Sequence, residues 1–313
     1  MSQEPESLHV WLAGRVVADL AMSRRREPRL RYRPDFVDER GEGALGLSVP
    51  LLVTRRAYRG DLVDFWIEGL LPEGETRTVL ERFFGIRRGH GFALLEKLGR
   101  DCAGAVAVTR PDEHLTGRIA AARPLSDAEV TEAVASLRQH PLGVDEDVRV
   151  SLGGLQSKLL LVQTPEGWAR PVGGTPSTHI LKPDPPEYPG LVATEAFAQR
   201  SAALAGLKAA DVRLDNFGGR SVLVVTRFDR EAKDGSLIRL HQEDGCQALG
   251  IDPSGSGKYQ SVDGAASYRR LAEVLAKFSR DRLSELRALG AMMTFTVAVG
   301  NTDAHLRNRN LST

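Results

Sequence analysis

With 313 residues, 42% of them hydrophobic and 27% charged, the chain has the make-up of a globular protein with room for about two domains. A net charge of +1 excludes a globally basic nucleic-acid binder. It leaves only two local basic stretches, SRRREPRLRYR (23–33) and RRGH (87–90), both of which read as solvated surface. The two distant cysteines, Cys102 and Cys246, exclude a disulfide framework and point to a reducing compartment. No apolar leader follows Met1 and no apolar run reaches about 18 residues, so a cytoplasmic chain without a membrane span is expected.

In chain order, residues 8–20 read as two short strands around an Ala-Gly turn, and 44–53 form a further apolar stretch. Apolar residues at 62, 65, 66, 70 and 71 have helical spacing, with Pro72 ending the run. Short amphipathic helices follow at 75–84 and 91–98, then a strand at 103–108. Residues 109–124 look like a linker, and Ser126 caps a helix running to about 138. The segment 148–162 reads as strand, Gly turn, strand, and 178–182 as another strand. Residues 191–207 have a long Ala-rich helical pattern, and 211–228 form a hairpin with a Gly-Gly turn. Helices are expected at 267–278 and 284–300. Strands before helices favour an α+β class over a repeating βαβ sheet.

The last fourteen residues, GNTDAHLRNRNLST, carry the sharpest chemical signal. Asp303 and Asn308 stand five apart after an apolar helix. Protein kinases use this arrangement, an Asp accepting the proton of the attacking hydroxyl and an Asn holding magnesium against the ATP phosphates. The bland reading is a helix end with turn-forming Asp and Asn. Earlier segments line up with the first reading. Ser151-Leu-Gly-Gly-Leu-Gln-Ser-Lys158 offers a Gly pair through which backbone N–H groups approach phosphate, or alternatively a plain hairpin turn; it is not a Walker A loop. Lys182 ends the strand THILK, and Glu195 lies thirteen residues later in the Ala-rich helix, which suits a phosphate-binding lysine paired with a helix glutamate. VLVVTRFDR (222–230) fits a hinge beside an adenine ring, or a simple edge strand. HQEDGCQALG (241–250) holds His241, Glu243 and Asp244 without a second His at ligand spacing, so no metal site is expected there. Gly turn, strand Lys, helix Glu, hinge and Asp-x4-Asn follow the order of parts in a kinase.

Seven motifs together resemble the HipA-like serine/threonine kinases, toxins of bacterial type II toxin–antitoxin modules. They are FWIEGLLPEG (65–74), LGRDCAGAV (98–106), SLGGLQSK (151–158), STHILK (177–182), VVTRFDR (224–230), HQEDGCQALG and GNTDAHLRN (300–308). The resemblance implies a small N-terminal α+β domain (1–110), a linker with one helix (111–145) and a two-lobed kinase domain (146–313). It implies ATP and Mg2+ as cofactors, Asp303 as catalytic base and Asn308 as a magnesium ligand. Leu152, Gly153, Gly154, Leu155, Gln156, Ser157 and Lys158 would form the loop over the phosphates, bound also by Lys182 with Glu195. His305 would lie beside the nucleotide, and Thr226, Arg227 and Phe228 would contact adenine. Ser151 would be the serine that such kinases autophosphorylate to switch themselves off. The implied partners are a HipB-like helix-turn-helix antitoxin, operator DNA through that complex, and a protein substrate, an aminoacyl-tRNA synthetase.

Family members continue past Asn308 with a strand and a Tyr-Asp-Leu-like segment whose Asp binds magnesium, whereas Thr313 is the last residue here. The expectation is therefore a truncated chain with an incomplete C-lobe and an uncovered apolar face on helix 284–300. Two competing readings remain: an inactive module that binds the antitoxin and tunes repression, and a small-molecule kinase of the antibiotic-phosphotransferase kind. The N-terminal motifs argue against the second of these.

Overall fold

The computed structural model describes residues 7–115, 121–144, 150–153, 156–254, 258–259 and 264–312. The chain opens with strands β1 (Ser7–Leu12), β2 (Arg15–Met22) and β3 (Pro28–Tyr32), helix α1 (Pro34–Arg40) and the short strand β4 (Tyr58–Arg59). Helices α2 (Asp61–Leu70), α3 (Gly74–Phe83) and α4 (Gly91–Leu98) follow, then β5 (Val106–Thr109). The strands form an antiparallel sheet in the order β4-β3-β2-β1-β5. Ala13 and Gly14 both have positive φ, 49° and 84°, the conformation a two-residue hairpin turn needs. Alternation along the strands turns Leu8, Val10, Leu20, Leu30 and Tyr32 to one face, where Phe36, Trp66, Ile67 and Leu94 cover them.

The second half contains β6 (Arg123–Pro124), α5 (Asp127–Ala135), β7 (Leu159–Thr164), β8 (Gly167–Arg170) and β9 (His179–Pro183). Next come α6 (Leu191–Leu204), β10 (Val212–Phe217) and β11 (Arg220–Thr226). The six strands pair in the order β10-β11-β9-β7-β8-β6. Ser126 and Glu129 close a capping box at the start of α5. Val130 and Val134 of that helix pack on Leu159, Leu161, Leu181, Val222 and Val224, so α5 and β6 belong to this sheet. The opposite face takes Val192 and Ala196 of α6 against Leu223.

The remaining elements are the hairpin β12 (Arg230–Lys233) and β13 (Ser236–Arg239), strand β14 (Gln242–Asp244), helices α7 (Gly245–Leu249), α8 (Tyr268–Phe278) and α9 (Arg282–Ala298), and strand β15 (Asn310–Ser312). A small core of Cys246, Ile251, Leu271, Leu275, Leu289 and Leu306 joins α7, α8 and α9, whereas Leu237 of the β12–β13 hairpin packs on Val162 and Ala169 of β7 and β8. Helix α9 buries only Leu289 and leaves Leu283, Met293 and Val297 exposed. No helix among the described residues is long and apolar enough to cross a membrane.

The predicted hairpin at 148–162 does not form as such. Val150 makes a parallel bridge to Asp101 of the N-terminal half, and regular pairing starts only at Leu159. Residues 145–149 lie outside the described residues.

Candidate active site

Strand alternation sets the first half of the site. Leu181 turns towards α5, so Lys182 turns towards α6, level with Leu223 across the ladder. Glu195 sits on the second turn of α6, and its carboxylate accepts from Lys182 Nζ at 2.6 Å. Both side chains are about a quarter exposed, 22% and 27%, and so remain within reach of a ligand. Asp184 holds the start of α6 by accepting from the Gly190 and Val192 backbones.

The Gly-rich segment is anchored on the N-terminal half. Ser151 N–H donates to Asp101 O at 2.9 Å, and Ser151 Oγ donates to Leu70 O at 2.5 Å, with the side chain fully buried. Leu152 packs against the N-terminal core. Gly153 runs so close to Arg307 that a Cβ there would meet Nη2 at 3.0 Å. Lys158 folds back and donates to Gly153 O at 2.5 Å. Burial first, then the charges of Lys182 and Arg307, push its pKa down to about 7. Gln156 Nε2 is buried without a hydrogen-bond partner among the described residues, and Ser157 is half-buried. The predicted loop residues Gly154 and Leu155 lie outside the described residues.

The second half follows α9. Gly300, at φ 66°, ends the helix. Asp303 projects into solvent with 72% of its side chain exposed. Asn308 Nδ2 donates to Asp303 O at 2.8 Å and to Asp303 Oδ2 at 3.2 Å, so the two predicted residues meet. His305 Nε2 stands 3.6 Å from Asp303 Oδ1, and the ring lies edge-on to Tyr259 at 5.1 Å. Burial, followed by the nearby Lys258 charge, lowers the His305 pKa, and its Nδ1 is buried without a partner among the described residues. Tyr268 OH donates to Ala304 O at 2.7 Å, which fixes the loop from α8.

Arg307 was not singled out in the sequence. Its guanidinium donates to Leu71 O at 2.8 Å and Glu68 O at 3.3 Å, and pairs with Glu73 at 3.2 Å. Glu68 O also accepts from the Leu71 N–H at 3.2 Å, and the carbonyls at this C-terminal end of α2 carry the negative end of its dipole, so a cation stabilises them. The HQEDG motif is structural too. Its strand β14 pairs with β15, Asp244 opposite Asn310, and the Gly245 N–H donates to Arg309 O at 2.8 Å. Glu243 reaches the N-terminal half, accepting from Ser48 Oγ at 2.5 Å and Val49 N at 3.1 Å.

At the predicted hinge, Thr226 and Arg227 already use their backbone N–H groups on Asp211 O and Thr178 O. The Arg227 guanidinium turns away into a buried cluster with Asp229 at 2.7 Å, Ser177 Oγ at 2.9 Å and Cys102 O at 3.0 Å. Arg230 joins it, bonding Asp101 at 2.9 Å and Gly104 O at 2.8 Å. Of the three hinge residues, Phe228 is the one that presents its side chain to solvent, 50% exposed.

Electrostatic neighbours connect the halves. Lys158 feels Lys182, Arg307 and Glu195, and His305 feels Arg307, Lys258 and Asp303. The cations Lys158 and Lys182, with the Gln156 amide that has no partner among the described residues, suit a polyphosphate, and Arg307 adds positive charge behind them. Among the described residues no group of three or more His, Cys, Asp or Glu side chains is placed to hold a metal. Asp303 and Asn308 offer the hard oxygen donors that magnesium takes one or two at a time, together with substrate phosphates.

Comparison with known proteins accords with this geometry. The family model described as HipA-like C-terminal domain matches residues 150–312, and the HipA N-terminal domain model matches residues 8–109. The putative kinase Y4mE of Sinorhizobium fredii is 36% identical over 96% of this chain and 72% of its own length. The serine/threonine-protein kinase toxin HipA of Shewanella oneidensis is 31% identical over 79% of this chain and 58% of its own length. A solved complex of the Shewanella oneidensis HipA with HipB and its operator DNA superposes with a TM-score of 0.79 at 28% identity, covering 98% of this chain and 72% of that one. The chain belongs to the HipA family of kinases.

Proposed function

We propose that the chain is a serine/threonine-protein kinase toxin that transfers the γ-phosphoryl group of ATP to a protein hydroxyl. The observation that carries this reading is the Lys182–Glu195 ion pair at 2.6 Å, linked through Lys158 and Arg307 to the hydrogen-bonded Asp303 and Asn308. Lys182 binds and orients the phosphates while Glu195 fixes its ammonium group. Lys158 and the Gly-rich loop add donors above them. Asp303, exposed and aimed outward, takes the proton of the attacking hydroxyl. His305 and Asn308 hold that carboxylate in place. A magnesium ion on Asn308 would neutralise charge on the phosphates.

The similarity to a toxin solved with HipB and operator DNA supports a HipB-like helix-turn-helix antitoxin as partner and operator binding through it. An aminoacyl-tRNA synthetase as substrate, a type II module and a cytoplasmic site of action rest on the family resemblance; two buried free cysteines suit a reducing compartment. Ser151 is the chain's own regulatory target. Phosphate there adds nearly two negative charges against the carbonyl end of α2, which rejects them and expels the loop.

The test is incubation of the purified chain with ATP and magnesium, reading phosphate on Ser151 by mass spectrometry, with Asp303→Ala as control. Label in the wild type and none in the variant supports the kinase reading. No label from folded protein rejects turnover by this chain and favours an antitoxin-binding module.

A further inference from the structure

The arginine-rich stretch at 23–33 has no part in the site above. In the fold it is not scattered. β3 alternates Pro28, Leu30 and Tyr32 inward with Arg29 and Arg31 outward. Register then places Arg59 of β4 directly opposite Arg29. The turn between β2 and β3 adds Arg24, Arg25 and Arg26 at the same end, where Glu27 Oε1 lies 3.5 Å from a Cβ built on Gly60. Among the described residues none of these six arginines forms an ion pair. The acids nearby are Glu27 in the turn, Asp61 and Asp64 in the first turn of α2, and Asp19, opposite Arg31 and already bonded to Arg33 at 2.9 Å.

Like charges directly opposite on neighbouring strands sit about 4.5–5.5 Å apart at Cβ and destabilise the pair. An isolated fold gains nothing from Arg29 facing Arg59. An anion lying across the strands turns that repulsion into shared binding. The strongly exposed aromatics Phe83, Tyr188, Phe197 and Phe228 all lie outside these strands, and the sheet's own Trp11 and Tyr58 are part-buried and hydrogen-bonded to Thr109 Oγ1 and Leu52 O, which disfavours the stacking that single strands need. Repeated guanidinium groups on a broad surface suit a run of phosphodiesters instead.

We propose that the outer face of the N-terminal sheet, centred on Arg29, Arg31 and Arg59, binds the phosphate backbone of duplex DNA. Contact is made by this chain itself, in addition to any DNA held through a partner, and it is to phosphates, which carry no sequence information. It stands on observations separate from the kinase reading.

The experiment is fluorescence anisotropy of the full chain with a random-sequence duplex of about 30 base pairs, titrated in salt. The variant Arg29→Gln/Arg31→Gln/Arg59→Gln, with thermal melting to confirm folding, is expected to bind at least about tenfold more weakly at low salt. Its slope of log K against log salt is expected to be shallower by about 2 to 3. The control Arg82→Gln/Arg87→Gln/Arg88→Gln removes the same charge from exposed positions outside the sheet and is expected to bind nearly as wild type. Equal losses in both variants would overturn the proposal in favour of general charge attraction. A polyglutamate peptide binding as tightly as the duplex would overturn the choice of DNA in favour of an acidic protein. Wild-type binding by the first variant, or no duplex binding at all, would overturn it outright.

Discussion

Arg307 Nη2 donates to Leu71 O at 2.8 Å across 236 residues of sequence, so the loop carrying Asp303 and Asn308 hangs on the end of an N-terminal helix. Ser151 Oγ is bonded to the adjacent carbonyl, Leu70 O. One helix end therefore sets the height of both the Gly-rich segment and the catalytic loop. Arg307→Ala leaves the Leu71 and Glu68 carbonyls without a charged donor and removes one of the two cations beside Glu73. It is expected to lower the unfolding free energy by about 2–4 kcal/mol. Arg307→Lys keeps the charge but loses the fork and is expected to fall between. Urea unfolding measures both, and a loss under about 0.5 kcal/mol in the alanine variant would refute the anchoring role.

Lys182 and Glu195 make a different kind of pair. Both are partly exposed, so the ion pair itself adds at most about 1 kcal/mol to stability. Their value is positional. Lys182→Met is expected to reduce ATP turnover by about 100-fold or more while leaving the melting temperature nearly unchanged. Glu195→Gln, which keeps a hydrogen-bond acceptor, is expected to lose less. A Lys182 variant that turns over ATP normally would remove this residue from the site.

What the sequence made visible is local. Alternation along THILK and helical spacing after Gly190 brought Lys182 to Glu195, and a five-residue spacing brought Asp303 to Asn308. The Ala-Gly and Gly-Gly turns were readable because positive φ restricts residue choice. Arg307 and HQEDG were not assigned their roles because their partners, Leu71 and Ser48, lie almost 200 residues or more away. The surroundings of the hinge were hidden in the same way. VLVVTRFDR reads as an apolar strand running into a short connector, and nothing local shows that Asp101 and Asp229 neutralise its arginines and let Arg227 and Arg230 bury.

That buried cluster gives a strong test. Asp101 is 1% exposed and faces Arg230, Arg227 and Arg239. Although burial opposes ionisation, these arginines hold its carboxyl below the usual range. A depressed acid stabilises above its unfolded pKa and loses that contribution as pH falls through the folded one, so the loss begins below about pH 4. Asp101→Asn is expected to cost about 3–5 kcal/mol at neutral pH by leaving buried arginines short of charge. Guanidinium unfolding curves would show it, and a neutral effect would mean that Asp229 alone compensates.

Ser151 separates hydrogen bonding from charge. Ser151→Ala removes one donor to Leu70 O and is expected to cost about 0.5–1.5 kcal/mol. Ser151→Glu places a carboxylate against the same carbonyl and is expected to free the segment, raising amide exchange at residues 150–153 and weakening ATP binding. Protection equal to that of the alanine variant would contradict the charge argument.

Glu243 gives the pH dependence of the contact between the two halves. Burial raises its pKa to about 7 despite the bonds from Ser48 and Val49. The unfolded value is near 4.3, so between these limits the folded state binds the proton that the unfolded state has lost. Stability from this group is therefore complete below about pH 4 and falls as pH rises towards 7, by at most about 1.4 kcal/mol per unit. On the same motif Asp244, raised to about 6, acts in the same direction, and His241, lowered to about 4 by burial, acts in the opposite one. His241 therefore offsets only part of that loss in the wild-type curve. Glu243→Gln mimics the protonated side chain and lacks its titration, so the difference between the two proteins isolates it. Urea unfolding at pH 5 and pH 8 is expected to show wild type losing stability relative to Glu243→Gln on the alkaline side. A difference that does not change with pH would place Glu243 in water rather than against Ser48.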